Sequence, residues 1–122
     1  MNATRFCWDG VREPAAYVRE VLGREAPEIP EALLNEYPWV QTELSLSDVR
    51  PDIGMLERHG RDDVHVRRRD GFVERIRSGV SIPPLILLGR DLKLVDGYAR
   101  YRALRLLEVD SASVLAQVRD ED

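Results

Sequence analysis

The sequence predicts a small α+β domain in which helices pack on a mixed sheet. Three observations lead there. Two apolar runs, LILL at 85–88 and LKLV at 92–95, are separated by a glycine-containing turn short enough only for an antiparallel pair. Segments with helical spacing of apolar residues lie on both sides of that pair. A wholly parallel sheet would require more crossover helices than 122 residues supply here.

The elements follow in order. Residues 1–38 read as a helical N-terminal extension. Within 13–22, Val18, Val21 and Leu22 recur at helical spacing, Pro14 suits an early helical position and Gly23 suits a C-terminal cap. A shorter helix is expected over 30–37, stopped by Pro38, with a linker around Pro27 and Pro30. Rough alternation at Val40, Leu44 and Leu46 predicts a first strand over 39–49, followed by a turn at Arg50, Pro51 and Asp52. The polar stretch 52–70 reads as a short helix at 53–57 and then a mobile loop. Phe72, Val73 and Ile76 give the next helix one apolar side, ended by Gly79. After the two central strands, Ala99, Ala103, Leu106 and Leu107 describe a core-facing helical stripe. Residues 113–118 suit a last strand, and 119–122 form a polar tail.

Composition narrows the classes. The chain is 43% hydrophobic and 33% charged, enough for one modest core. Cys7 is the only cysteine, which excludes an internal disulfide framework and a Cys-rich zinc site. No run approaches the ~20 apolar residues of a membrane span, and no signal peptide is visible, so a cytoplasmic, reducing setting is expected. Of 18 basic residues, all but Lys93 are arginine, whose planar fork suits phosphate and carboxylate. Genome composition would produce the same skew. A net charge of -4 argues against non-specific duplex binding, which needs a positive field.

The chemistry concentrates where strand 92–95 runs into Asp96 and Gly97 and then into a helix carrying Arg100, Arg102 and Arg105. The first helical amides have no partner within the helix and point outward, so this turn suits a phosphate over residues 97–100. Gly97 permits a sharp turn or close backbone approach. Asp96 caps the helix, or supports a magnesium ion through water. Arg100 opposes the helix dipole, a conflict that an incoming phosphate would remove, and Arg102 and Arg105 share a flank. Tyr98 suits stacking on a base, closing the pocket, or packing against Pro83 or Pro84. A capped turn beside a solvated arginine face explains the same residues without any ligand.

Other candidates carry less. His59 and His65, with Asp62 and Asp63, match no metal-ligand spacing, and no metal site is expected. The triplet Arg67, Arg68 and Arg69 reads as a solvated run before a helix, or as a contact to a phosphate backbone. Glu43 and Asp48 flank the first strand as possible bases, and Cys7 has no activating neighbour. Walker-type and dinucleotide glycine loops and a serine-hydrolase elbow are absent.

The order FVERIRSGVSIPPLILLGRDLKLVDGYARYRALRLLEV resembles the ParB/sulfiredoxin-like domain family, over residues 39–118. In ParB N-terminal domains a strand-turn-strand leads into Gly-Glu-Arg-Arg-x-Arg-Ala, which helps to bind a nucleotide triphosphate. Gly97, Arg100, Tyr101, Arg102 and Ala103 match, while Tyr98 replaces the glutamate and Ala99 the first arginine. Sulfiredoxin's Gly-Cys-His-Arg is not met, because Tyr98 and Ala99 stand at its cysteine and histidine. The Asp-Gly-x-His-Arg of the family's free-serine kinases is met at Asp96, Gly97 and Arg100 only. ParB spreads on DNA through a separate helix-turn-helix domain, and none is expected within these 122 residues.

The resemblance implies a phosphate- or nucleotide-binding module with a regulatory role, taking ATP or CTP with magnesium at Asp96, Gly97, Tyr98, Arg100 and Arg102. Two alternatives stand beside it. One is a phosphotransferase acting on a small metabolite. The other is a degenerate ParB-like interaction domain, binding a protein partner, a second copy in a homodimer or, less readily, nucleic acid.

Overall fold

The structure is a computed structural model, and residues 7–117 are described. Four strands form one mixed sheet in the order β1-β4-β2-β3: β1 (Trp39–Ser45), β2 (Leu85–Leu88), β3 (Lys93–Asp96) and β4 (Ser111–Gln117). β1 runs antiparallel to β4, β4 parallel to β2, and β2 antiparallel to β3 with a bulge at Ile86/Leu87. The central strands are buried on both faces, which is why 85–88 is apolar without alternation.

Helices cover both faces. On one side α1 (Pro14–Glu25) and the single turn α2 (Glu31–Leu34) place Val18, Val21, Leu22 and Leu34 against Trp39, Ile86 and Leu115. On the other side α3 (Ile53–Gly60), α4 (Asp63–Arg77) and α5 (Tyr98–Leu106) bury Val73, Ile76, Tyr101, Ala103 and Leu104 against Leu85, Leu87 and Val114. Within 1–38, therefore, the apolar side of α1 is covered by the sheet. The tail at 119–122 and Val118 lie outside the described residues.

Several boundaries differ from expectation for local reasons. Gly23 does not end α1, which continues to Glu25 because the Ala26 N–H still bonds the Leu22 carbonyl and Ala26 is buried. β1 stops at Ser45, a 3-10 turn spans Leu46–Asp48, and Val40 faces outward.

In the polar stretch 52–70 the expected short helix at 53–57 is present and runs on to Gly60, while the expected loop after it is the start of α4. Asp52 caps α3 by accepting from the Met55 N–H at 3.0 Å, and Asp62 caps α4 by accepting from Val64 at 2.8 Å. Arg67, Arg68 and Arg69 thus lie within a helix. α4 then closes at Gly79 (φ +77°), with the N–H groups of Gly79 and Val80 returning to Ile76 and Arg75.

The stripe on α5 is also rotated from the expected one. Tyr98, Arg100, Tyr101, Ala103 and Leu104 are buried, while Leu106 is 56% exposed. Tyr98 and Arg100 turn inward because the interior offers their polar ends partners.

Candidate functional site

β3 enters α5 through Gly97, which adopts φ +105°. A Cβ at this position would stand 2.7 Å from Leu85 Cδ2, so both backbone conformation and space call for glycine. Gly97 is the N-cap and supplies no side-chain acceptor. Asp96, expected to cap α5, instead pairs with an arginine one turn along the helix, where its Oδ2 accepts from Arg100 Nη2 at 2.8 Å.

Arg100 is 9% exposed. Its Nη1 donates to the carbonyls of both Pro83 and Pro84 at 2.9 Å, and the Phe72 ring lies 5.7 Å from Cζ. The unfavourable placement of a cation near the start of α5 is therefore answered inside the protein, by a carboxylate and two carbonyls. Arg100 Nε is buried without a hydrogen-bond partner. Tyr17 of α1 lies close enough to feel the charges of Arg100 and Asp96, although burial is the main cause of its raised pKa.

Tyr98 is buried too. Its hydroxyl accepts from the Asp52 N–H at 2.9 Å and donates to the Leu94 carbonyl at 3.2 Å, tying the start of α3 to β3. Burial raises its phenol above the ordinary 10.0. His59 meets Tyr98 edge-on at 5.4 Å and stacks on His65 at 3.7 Å. Burial first, then the neighbouring His65, Arg102 and Arg58, pull His59 below its ordinary 6.5.

Arg100 and Arg102, read together as a phosphate pair, lie about 200° apart around the helix. Arg100 borders a cleft of about 560 Å³ along the outer edge of β3, which also touches Gly97, Tyr98, His59, His65, Arg68 and Lys93. Arg102 borders a shallower groove with Arg69, Arg105 and Leu106, and its Nη1 makes only a long 3.5 Å contact to the His65 carbonyl.

Sequence reasoning missed the part played by Phe72, His59, His65, Arg68 and Lys93 around the cleft. The capping aspartates at 52 and 62 were the signal that would have placed both histidines on helices. Glu43 is bonded by Ser111 Oγ on the β1–β4 side of the sheet, and neither it nor Asp48 borders the cleft. Cys7 is exposed. Among the described residues no group of three or more His, Cys, Asp or Glu is arranged to hold a metal ion, and no helix is long and apolar enough to cross a membrane.

Neither a protein-family model nor a curated protein matches the chain. A solved structure does, that of a Pnob8-like ParB-N domain in a C2221 crystal form, with 21% identity and a TM-score of 0.52. The match covers 70% of this chain and 32% of that one, so this chain spans about a third of its length. The likeness carries the fold: a small ParB/sulfiredoxin-like α+β domain with a mixed four-stranded sheet packed between helices.

Proposed function

We propose that this chain is a ParB-N-like protein-interaction domain in which Arg100, in the first turn of α5, serves the fold. The observation that carries this reading is the engagement of Arg100 by Asp96, Pro83 and Pro84. To neutralise a phosphate, Arg100 would have to release Asp96, leaving a largely buried carboxylate beside the incoming anion. Tyr98, which stands where the resemblance has an acid, is likewise committed to Asp52 and Leu94. Exposed aliphatic side chains at Ile53, Val64 and Leu106 offer apolar surface to a partner. The net charge of -4 favours protein over nucleic acid as that partner.

Calorimetric titration with ATP, CTP, ADP and GTP, each with and without magnesium, tests the reading. No saturable heat at millimolar ligand is expected. A second reading, a nucleotide- or phosphate-binding module, draws on the cleft's size and on Arg68 and Lys93 in its wall. Saturable binding of one nucleotide, weakened in Arg68→Ala or Lys93→Ala, would replace the first reading with the second.

A further inference from the structure

We propose that the groove between α3, residues 46–51 and α5 docks an acidic amphipathic segment of a partner protein. This rests on the interaction reading above and names the surface and the chemistry of the partner. The groove has an apolar bed that includes Leu56 and Tyr101, and two aliphatic side chains stand open at its mouth, Ile53 at 66% and Leu106 at 56% exposure. Its polar border is cationic: Arg69, Arg102 and Arg105 line it, and no carboxylate does.

This local charge runs against a chain whose net charge is negative. Arg102 illustrates the strain. Burial first, and then the charge of Arg69, pull its guanidinium below the ordinary 12.5. Asp70 pairs with Arg69 at 2.7 Å and offsets part of that charge. Arg105 has only a long 3.5 Å contact to the Tyr101 hydroxyl. An incoming carboxylate would give these forks the acceptors they match, while a leucine or isoleucine of the same segment covers Ile53 and Leu106.

Other occupants fit less well. Tyr101 is 5% exposed and offers no face on which a nucleic-acid base stacks, and the open side chains are aliphatic. A second copy docked through the same patch about a two-fold axis would set arginines against arginines.

Selection from a displayed library of random 16-residue peptides on the whole chain tests the proposal, followed by anisotropy titration of the enriched peptides. They are expected to combine several Asp or Glu with Leu or Ile, and to bind more weakly as salt is raised. Arg105→Glu is expected to weaken them about tenfold or more. Ile53→Ser is a second variant that changes no charge. Both side chains are exposed, and melting curves verify that the variants fold.

Enriched peptides without an acidic excess, or bound by both variants as tightly as by the wild type, would overturn the docking surface while leaving an interaction domain standing. No enrichment at all would overturn both. Two further results would overturn the proposed occupant. One is a concentration-dependent dimer in sedimentation that Ile53→Ser abolishes. The other is an oligonucleotide that outcompetes the peptides for the groove.

Discussion

On one side of α5, Arg100 is 9% exposed and held by a carboxylate and two carbonyls. On the other side, Arg105 is exposed and touches only the Tyr101 hydroxyl at 3.5 Å. The two residues belong to one nine-residue helix and carry the same charge, yet the fold uses them in opposite ways. An arginine turned inward costs desolvation that fixed acceptors must offset; one turned outward keeps its water and remains available to a partner. An arginine-rich helix therefore says little about ligand binding until its faces are separated.

The sharpest way to break this comparison is Arg100→Ala. It leaves the Asp96 carboxylate and the carbonyls of Pro83 and Pro84 without their donor, and should cost about 3–5 kcal/mol of unfolding free energy. Urea denaturation measures it, and a cost near that of an exposed arginine would show that the latch is not structural. Gly97→Ala comes next. Its positive φ and the 2.7 Å approach to Leu85 predict a loss of about 2–4 kcal/mol, read by the same denaturation.

The histidine stack between the two regions gives a pH test. Because His59 titrates below 6.5 in the folded protein, the unfolded chain binds the proton more readily. Stability is therefore full above 6.5 and falls as pH drops from that value through the lower folded pKa. Thermal melts between pH 7.5 and about pH 5 should show this fall, and His59→Gln should flatten it. An unchanged slope in the variant would place the titrating group elsewhere. The smallest effect belongs to Arg105→Ala, whose stability should stay within about 0.5 kcal/mol of wild type. A larger loss would erase the difference between the two faces.

How much could be read beforehand depended on how local the cause was. The hairpin at 85–96 and the helix carrying Val18, Val21 and Leu22 follow from apolar spacing and turn residues, both properties of short windows. Within 52–70 the short helix after Asp52 was legible, whereas the start of α4 was marked only by its cap Asp62, in a run whose polar composition otherwise suggests loop. The rotation of α5 was not legible. An arginine and a tyrosine face inward only when distant carbonyls or amides receive them, and Pro83, Pro84, Asp52 and Leu94 are brought there by the fold.

The small α+β class, the strand-turn-strand and the glycine at which β3 turns into α5 follow from local sequence, since each depends on neighbours within a few residues. The tertiary structure alone decided which arginines remain available. Burial and hydrogen-bond satisfaction are set largely by groups distant in the chain: packing α5 against the entry to β2 gave Arg100 the Pro83 and Pro84 carbonyls, and packing it beside α3 and α4 left Arg102 and Arg105 on an apolar groove.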